Sequence, residues 1–144
     1  MGLLRDGLRE VQPQLNAYLS RLRGRIPVRS AVLFGSRARG QHWETSDIDL
    51  LVVSSAFNGL SRGERFDLLL ADWSGIPALE PFGCTPPELL GHGSLLLWDA
   101  LHQGRVLLDD GVWQAARQHF DERLERGDLT PTRRGWKERL EDSG

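Results

Sequence analysis

The chain has 144 residues, 18 basic against 20 acidic, for a net charge of -2. That length suits one domain with a real core and leaves no room for a second catalytic module. The near balance of charge gives no electrostatic reason to expect a nonspecific nucleic-acid binder. A single cysteine, Cys84, excludes an intramolecular disulfide and a cysteine-rich zinc site.

Arg5, Asp6, Arg9 and Glu10 stand among the first leucines, which argues against a signal peptide. No apolar run approaches membrane-spanning length, so a cytoplasmic protein is expected. Apart from Lys137 every basic side chain is arginine. Codon bias explains that more simply than phosphate contacts do.

In chain order, Leu4, Leu8, Val11, Leu15, Tyr18 and Leu22 recur at spacings of three and four and predict one apolar helical face, with a kink or a start near Pro13. Val28 to Phe34 reads as a strand ending at Gly35, and Ile48 to Val53 as another. Ser61-x-x-Glu64 is a capping box ahead of Phe66, Leu69, Leu70 and Trp73. A third strand fits Ala78 to Cys84, followed by a second capping box, Thr85-Pro86-Pro87-Glu88. Ser94 to His102 reads as a helix and Arg105 to Leu108 as a last strand, with a turn at Asp110-Gly111. Trp113, Ala116, Phe120 and Leu124 mark a helix ending at Gly127. The expected fold is α/β (α+β): a small mixed sheet flanked by helices, with a C-terminal helical extension. Residues 1–127 form one domain on this reading, and 128–144 a polar tail, frayed or docking through Trp136 and Leu140.

The chemistry concentrates between the first two strands. Side chains at i and i+2 share a strand face, so Asp47 and Asp49 point the same way, ahead of Leu51 and Val53. Two carboxylates on one face repel each other and are costly to bury. A hard divalent cation removes the conflict, and magnesium suits one or two carboxylates completed by substrate phosphates. Gly35 lets a ligand approach the backbone closely, Ser36 offers a hydroxyl and free N–H groups, and Arg37 and Arg39 add positive charge. If the two strands lie antiparallel, these halves meet.

Gly35-Ser36, Gly40, Ser46, Asp47 and Asp49 reproduce a G-S-x-x-x-G…S-D-x-D pattern that resembles the DNA polymerase beta-like nucleotidyltransferases, and among them the minimal, MNT-type members. The resemblance implies a third carboxylate on a later strand, best matched by Glu80, although Pro81 follows it directly and glutamate replaces the usual aspartate. Asp67 and Asp72 match less well. The resemblance further implies that Asp47, Asp49 and Glu80 bind two magnesium ions, with Glu80 as general base. Gly35 and Ser36 would clamp the terminal phosphates of ATP, and Arg39, with Arg37 as a second candidate, would neutralise developing charge.

In such minimal enzymes the acceptor comes from outside, commonly a tyrosine on a HEPN-type toxin for which the nucleotidyltransferase is the antitoxin. Two other readings stay open: a non-catalytic module that neutralises its partner by occlusion, and an enzyme modifying a small-molecule hydroxyl such as an aminoglycoside's. The remaining residues have plainer readings. His42 is expected at the surface of the polar loop, His92 at a helix break, and His102 and His119 on helix surfaces. Cys84 is expected as a buried strand-end residue, and the five tryptophans to pack rather than stack on bases.

Overall fold

The computed structural model describes residues 6–43, 45–91 and 93–139. Leu4, Arg5, His92 and Leu140 lie outside them. Helix α1 (Gln12–Arg23) begins where Pro13 can occupy the first turn, and buries Leu15, Tyr18, Leu19 and Leu22. Strand β1 (Ser30–Phe34) runs into the short helix α2 (Gly35–Arg39), and a loop leads to β2 (Ile48–Val53). A 3-10 turn (Ser55–Phe57) and α3 (Arg62–Leu70) precede β3 (Leu79–Cys84). Then follow α4 (Pro86–Gly91), α5 (Leu95–Gln103), β4 (Arg105–Asp109) and α6 (Val112–Glu125).

Both expected capping boxes form. Glu64 N–H donates to Ser61 Oγ at 3.1 Å and Ser61 N–H to Glu64 Oε1 at 2.9 Å. At the second, Glu88 N–H donates to Thr85 Oγ1 at 3.3 Å and Thr85 N–H to Glu88 Oε1 at 2.7 Å. Each box satisfies helix N–H groups that have no partner within the helix.

Four strands form one mixed sheet in the order β3-β2-β1-β4, with β1 antiparallel to β2 and β4, and β2 parallel to β3. Both faces of its centre are covered, so β1 and β2 read as nearly continuous apolar runs. Ala31, Leu33, Ile48, Leu50 and Val52 pack with α1 and with Leu69 of α3. Val32, Leu51 and Val53 pack on the opposite side with Leu97, Leu101, Trp113 and Phe120 of α5 and α6. The small mixed sheet flanked by helices that the sequence leads one to expect is the one found.

Strand β3 lies at the sheet edge, where Pro81 is tolerable. Ile48 N–H donates to Ala78 O and Ser54 N–H to Cys84 O, at 2.8 and 3.0 Å. Alternate backbone groups of β3 therefore face β2, while those of Pro81 and Gly83 face outward, so the missing proline donor breaks no ladder bond.

The strand at Arg105 is not the last. Strands β5 (Leu129–Thr132) and β6 (Gly135–Glu138) form an antiparallel hairpin in the segment read as a polar tail. Trp136 holds it in place: its ring meets Trp98, Phe120 and His102 edge-on, and its indole N–H donates to Asp99 at 2.8 Å. Among the described residues no helix is long and apolar enough to cross a membrane.

Candidate active site

The antiparallel register of β1 and β2 sets Phe34 opposite Asp49, so the end of the first strand adjoins the start of the second. Gly35 takes φ +73°, in the left-handed region, and turns the chain into α2. Space requires glycine there as well. A Cβ on Gly35 would stand 2.2 Å from Asp49 Oδ2, so the carboxylate lies directly against the glycine backbone. Gly40, at φ +72°, ends α2 and releases the loop that returns to β2.

Across the parallel pair, Asp49 stands opposite Glu80. Asp47, two residues before Asp49, belongs to the same face. Asp49 is half-buried, while Asp47 and Glu80 are exposed. Burial pushes the Asp49 carboxyl up to about 6, and the charges of Glu80 and then Asp47 push the same way; Arg39 opposes them. That electrostatic profile describes two acids and one arginine gathered around the Asp49 carboxylate.

Their donor set consists of hard oxygens in negative surplus, which fits magnesium rather than a softer metal. Among the described residues no three His, Cys, Asp or Glu side chains are drawn together closely enough to form a metal-holding group by themselves. Mutually repelling carboxylates have no cause to close up without a cation between them.

The weaker acids are elsewhere. Asp67 is exposed on α3, and Asp72 accepts from Arg25 Nε at 2.7 Å. Arg39 is exposed and reaches Gln41 Oε1 at 3.2 Å.

Three expectations need correction. Arg37, expected to offer its charge to the phosphates, is only 1% exposed and donates from Nε and Nη2 to Ser46 O at 3.1 and 3.0 Å. His42 is buried rather than exposed, its Nε2 bonded to Glu10 Oε2 at 3.1 Å. Tryptophan packing holds for Trp98 and Trp113, but Trp43, on the loop before Ser46, is 77% exposed. No periodicity or motif in a five-residue helix and a polar loop announces which side faces inward. The fold decides it, by laying the turn at residues 7–10 against α2.

Residues 14–86 match the nucleotidyltransferase domain family, a span that takes in β1, α2, β2, α3 and β3. The chain belongs to that family. As a nucleotidyltransferase it carries the Gly35-Ser36 turn and all three acids within the matched span.

Over 39 residues it is also 54% identical to MJ0604 of Methanocaldococcus jannaschii, which bears the name of a protein adenylyltransferase. The shared stretch is 27% of this chain and spans 37% of that protein.

Among solved structures, a toxin–antitoxin crystal structure with AMP-PNP superposes with a TM-score of 0.57 at 20% identity, covering 78% of this chain and 88% of that one. The toxin–antitoxin structure MntA-HepT superposes with a TM-score of 0.53 at 18% identity, covering 81% and 89%. At these identities the likeness establishes the shared fold.

Proposed function

We propose that this nucleotidyltransferase moves AMP from ATP onto a hydroxyl of a partner protein, with a tyrosine of a HEPN-type toxin as the acceptor and this chain as the antitoxin. The observation that carries the reading is the meeting of Asp49 with Glu80 across β2 and β3, directly over the Gly35 backbone. Asp47, Asp49 and Glu80 are the residues that would hold magnesium, which when bound neutralises triphosphate charge and makes a hydroxyl easier to deprotonate.

The protein's own groups account for the rest. Gly35 and Ser36 receive the terminal phosphates, through the free N–H groups at the start of α2 and the serine hydroxyl. Arg39, exposed beside the acids, meets phosphate charge. Glu80, exposed at the start of the edge strand, takes the proton of the attacking hydroxyl. The new O–P bond forms at the α-phosphorus, the bond to the β-phosphate oxygen breaks, and pyrophosphate leaves.

An acceptor supplied from outside is supported by the openness of Asp47 and Glu80. It is also supported by the name of MJ0604 and by the toxin–antitoxin context of the similar folds. A reaction that draws on ATP and magnesium is in keeping with a cytoplasmic protein.

Intact-mass spectrometry tests the reading. Incubated with Mg-ATP and a HEPN-type protein, should its gene neighbourhood encode one, the wild-type chain should add adenylyl units to that protein, and Asp47→Ala should add none. An unmodified partner mass with the wild-type chain would sink the reading. If Asp47→Ala still neutralises the partner in cells, neutralisation is occlusion rather than catalysis.

A further inference from the structure

We propose that Arg37 is a positioning residue for the acids, holding from the buried side of α2 the peptide carbonyl that immediately precedes Asp47. This rests on the reading of Asp47 and Asp49 as the cation-holding pair.

A guanidinium taken out of water is costly unless it is bonded and compensated. Arg37 is 1% exposed, and two of its three guanidinium nitrogens converge on one oxygen. Nε and Nη2 both point at Ser46 O, at 3.1 and 3.0 Å. Nη1 reaches Gly7 O at 3.4 Å and Glu10 Oε2 at 3.3 Å. The same Glu10 oxygen accepts from His42 Nε2 at 3.1 Å. Three segments thus converge on one guanidinium: the turn before α1, α2 itself, and the loop into β2.

The turn before α1 is close-fitting. A Cβ on Gly7 would stand 2.5 Å from Arg37 O and 2.7 Å from its Cα, so the turn closes onto α2 backbone to backbone. Ser46 is also held by its side chain, whose Oγ accepts Trp43 N–H at 2.8 Å. Its carbonyl and its hydroxyl are therefore both fixed, and the next residue is Asp47. The two arginines of α2 divide their work: Arg39 faces the acids from solvent, and Arg37 fixes the backbone from beneath. The planar fork of arginine serves this purpose, since a lysine ammonium could not present two donors at fixed geometry to one oxygen.

The test compares full-length wild type, Arg37→Ala, Arg37→Lys and Glu10→Gln. Readouts are melting temperature, Mn2+ affinity by electron paramagnetic resonance with a non-hydrolysable ATP analogue, and kcat for transfer. A displacement of the acids on the scale of an ångström predicts that folded Arg37→Ala loses about a hundredfold in kcat. Loss of a supporting contact predicts Mn2+ affinity weakened about tenfold. Millimolar methylguanidinium should restore both readouts in Arg37→Ala and leave the wild type unchanged, which a purely structural loss would not do.

If Arg37→Ala melts below the assay temperature, Arg37→Lys carries the test, with about tenfold weaker Mn2+ binding expected. Glu10→Gln should weaken it by about threefold, because it loosens the anchor and leaves the fork. Wild-type Mn2+ affinity and kcat in a folded Arg37 variant would overturn the positioning role alone. Absence of Mn2+ binding by the wild type would overturn the assignment of the acids, and the positioning role with it.

Discussion

Two carboxylates flank strand β3, Asp49 of β2 beside its start and Glu88 of α4 past its end, and they are treated in opposite ways. Past its end, Glu88 receives Arg65 Nη1 and Nη2 at 2.7 and 3.1 Å and the Thr85 N–H at 2.7 Å. These bonds hold its carboxyl down at about 2, the Arg65 bond contributing most. At its start, Asp49 meets Glu80 and Asp47 instead, and burial and their charges lift it to about 6. Where a carboxylate serves the fold, the chain provides its partners. Around Asp49 the chain gathers like charge, which is sensible when the counter-charge arrives with the substrate.

The largest effect should separate the two ends by activity. Asp49→Ala or Asp47→Ala should lower the transfer rate by about a thousandfold, on the scale of losing a main electrostatic stabiliser. Glu80→Gln should cost about a hundredfold as loss of a general base. Arg65→Ala should leave kcat unchanged in the folded protein. It instead strands Gly83 O and the Glu88 carboxylate, and chemical denaturation should show a loss of about 2 kcal/mol. A large kcat loss in Arg65→Ala would erase the distinction between the ends.

The smallest effect sharpens the contrast through pH. Asp49 is protonated more readily in the folded state than in the unfolded chain, so its contribution to stability is full below about pH 4 and lost as pH rises through about 6. Asp49→Asn should therefore raise metal-free stability at pH 7.5, by about 1 kcal/mol after allowance for partial exposure, with no gain near pH 3.5. Glu88 has the opposite sign: its contribution is present above about pH 4.5 and fades as pH falls towards about 2. Denaturant midpoints of Asp49→Asn and Glu88→Gln across pH should diverge from wild type with opposite slopes. Parallel slopes would mean that the two carboxyls share one environment.

Most of this arrangement is legible in residue order because its determinants are local. The strand from Ile48 to Val53 has the bounds expected of it, and both capping boxes form. The antiparallel pairing on which the meeting of Gly35 and Asp49 depends is the one found. Glu80 lies opposite Asp49, as a third acid on a neighbouring strand would have to.

What escaped the sequence depends on distant surfaces. Arg37 and His42 are buried because the segment before α1 folds over them, and nothing within residues 35–46 encodes that cover. The hairpin after α6 has little apolar alternation. Its docking depends on Leu129, which is buried, and on Trp136, whose partners Trp98 and Phe120 are remote in sequence.

The edge position of β3 has a consequence for colloidal behaviour. An uncovered edge strand is a template onto which a stranger's backbone can zip, and here Arg65 of α3 lies over the edge, with Pro81 and Gly83 buried. Its outward groups give such a stranger little purchase: Pro81 has no hydrogen to offer, and Gly83 O is already occupied by Arg65. The proline beside Glu80 is thus a second guard beneath that cover, and Pro81→Val should make the chain more prone to form β-rich aggregates once partial denaturation lifts α3 away.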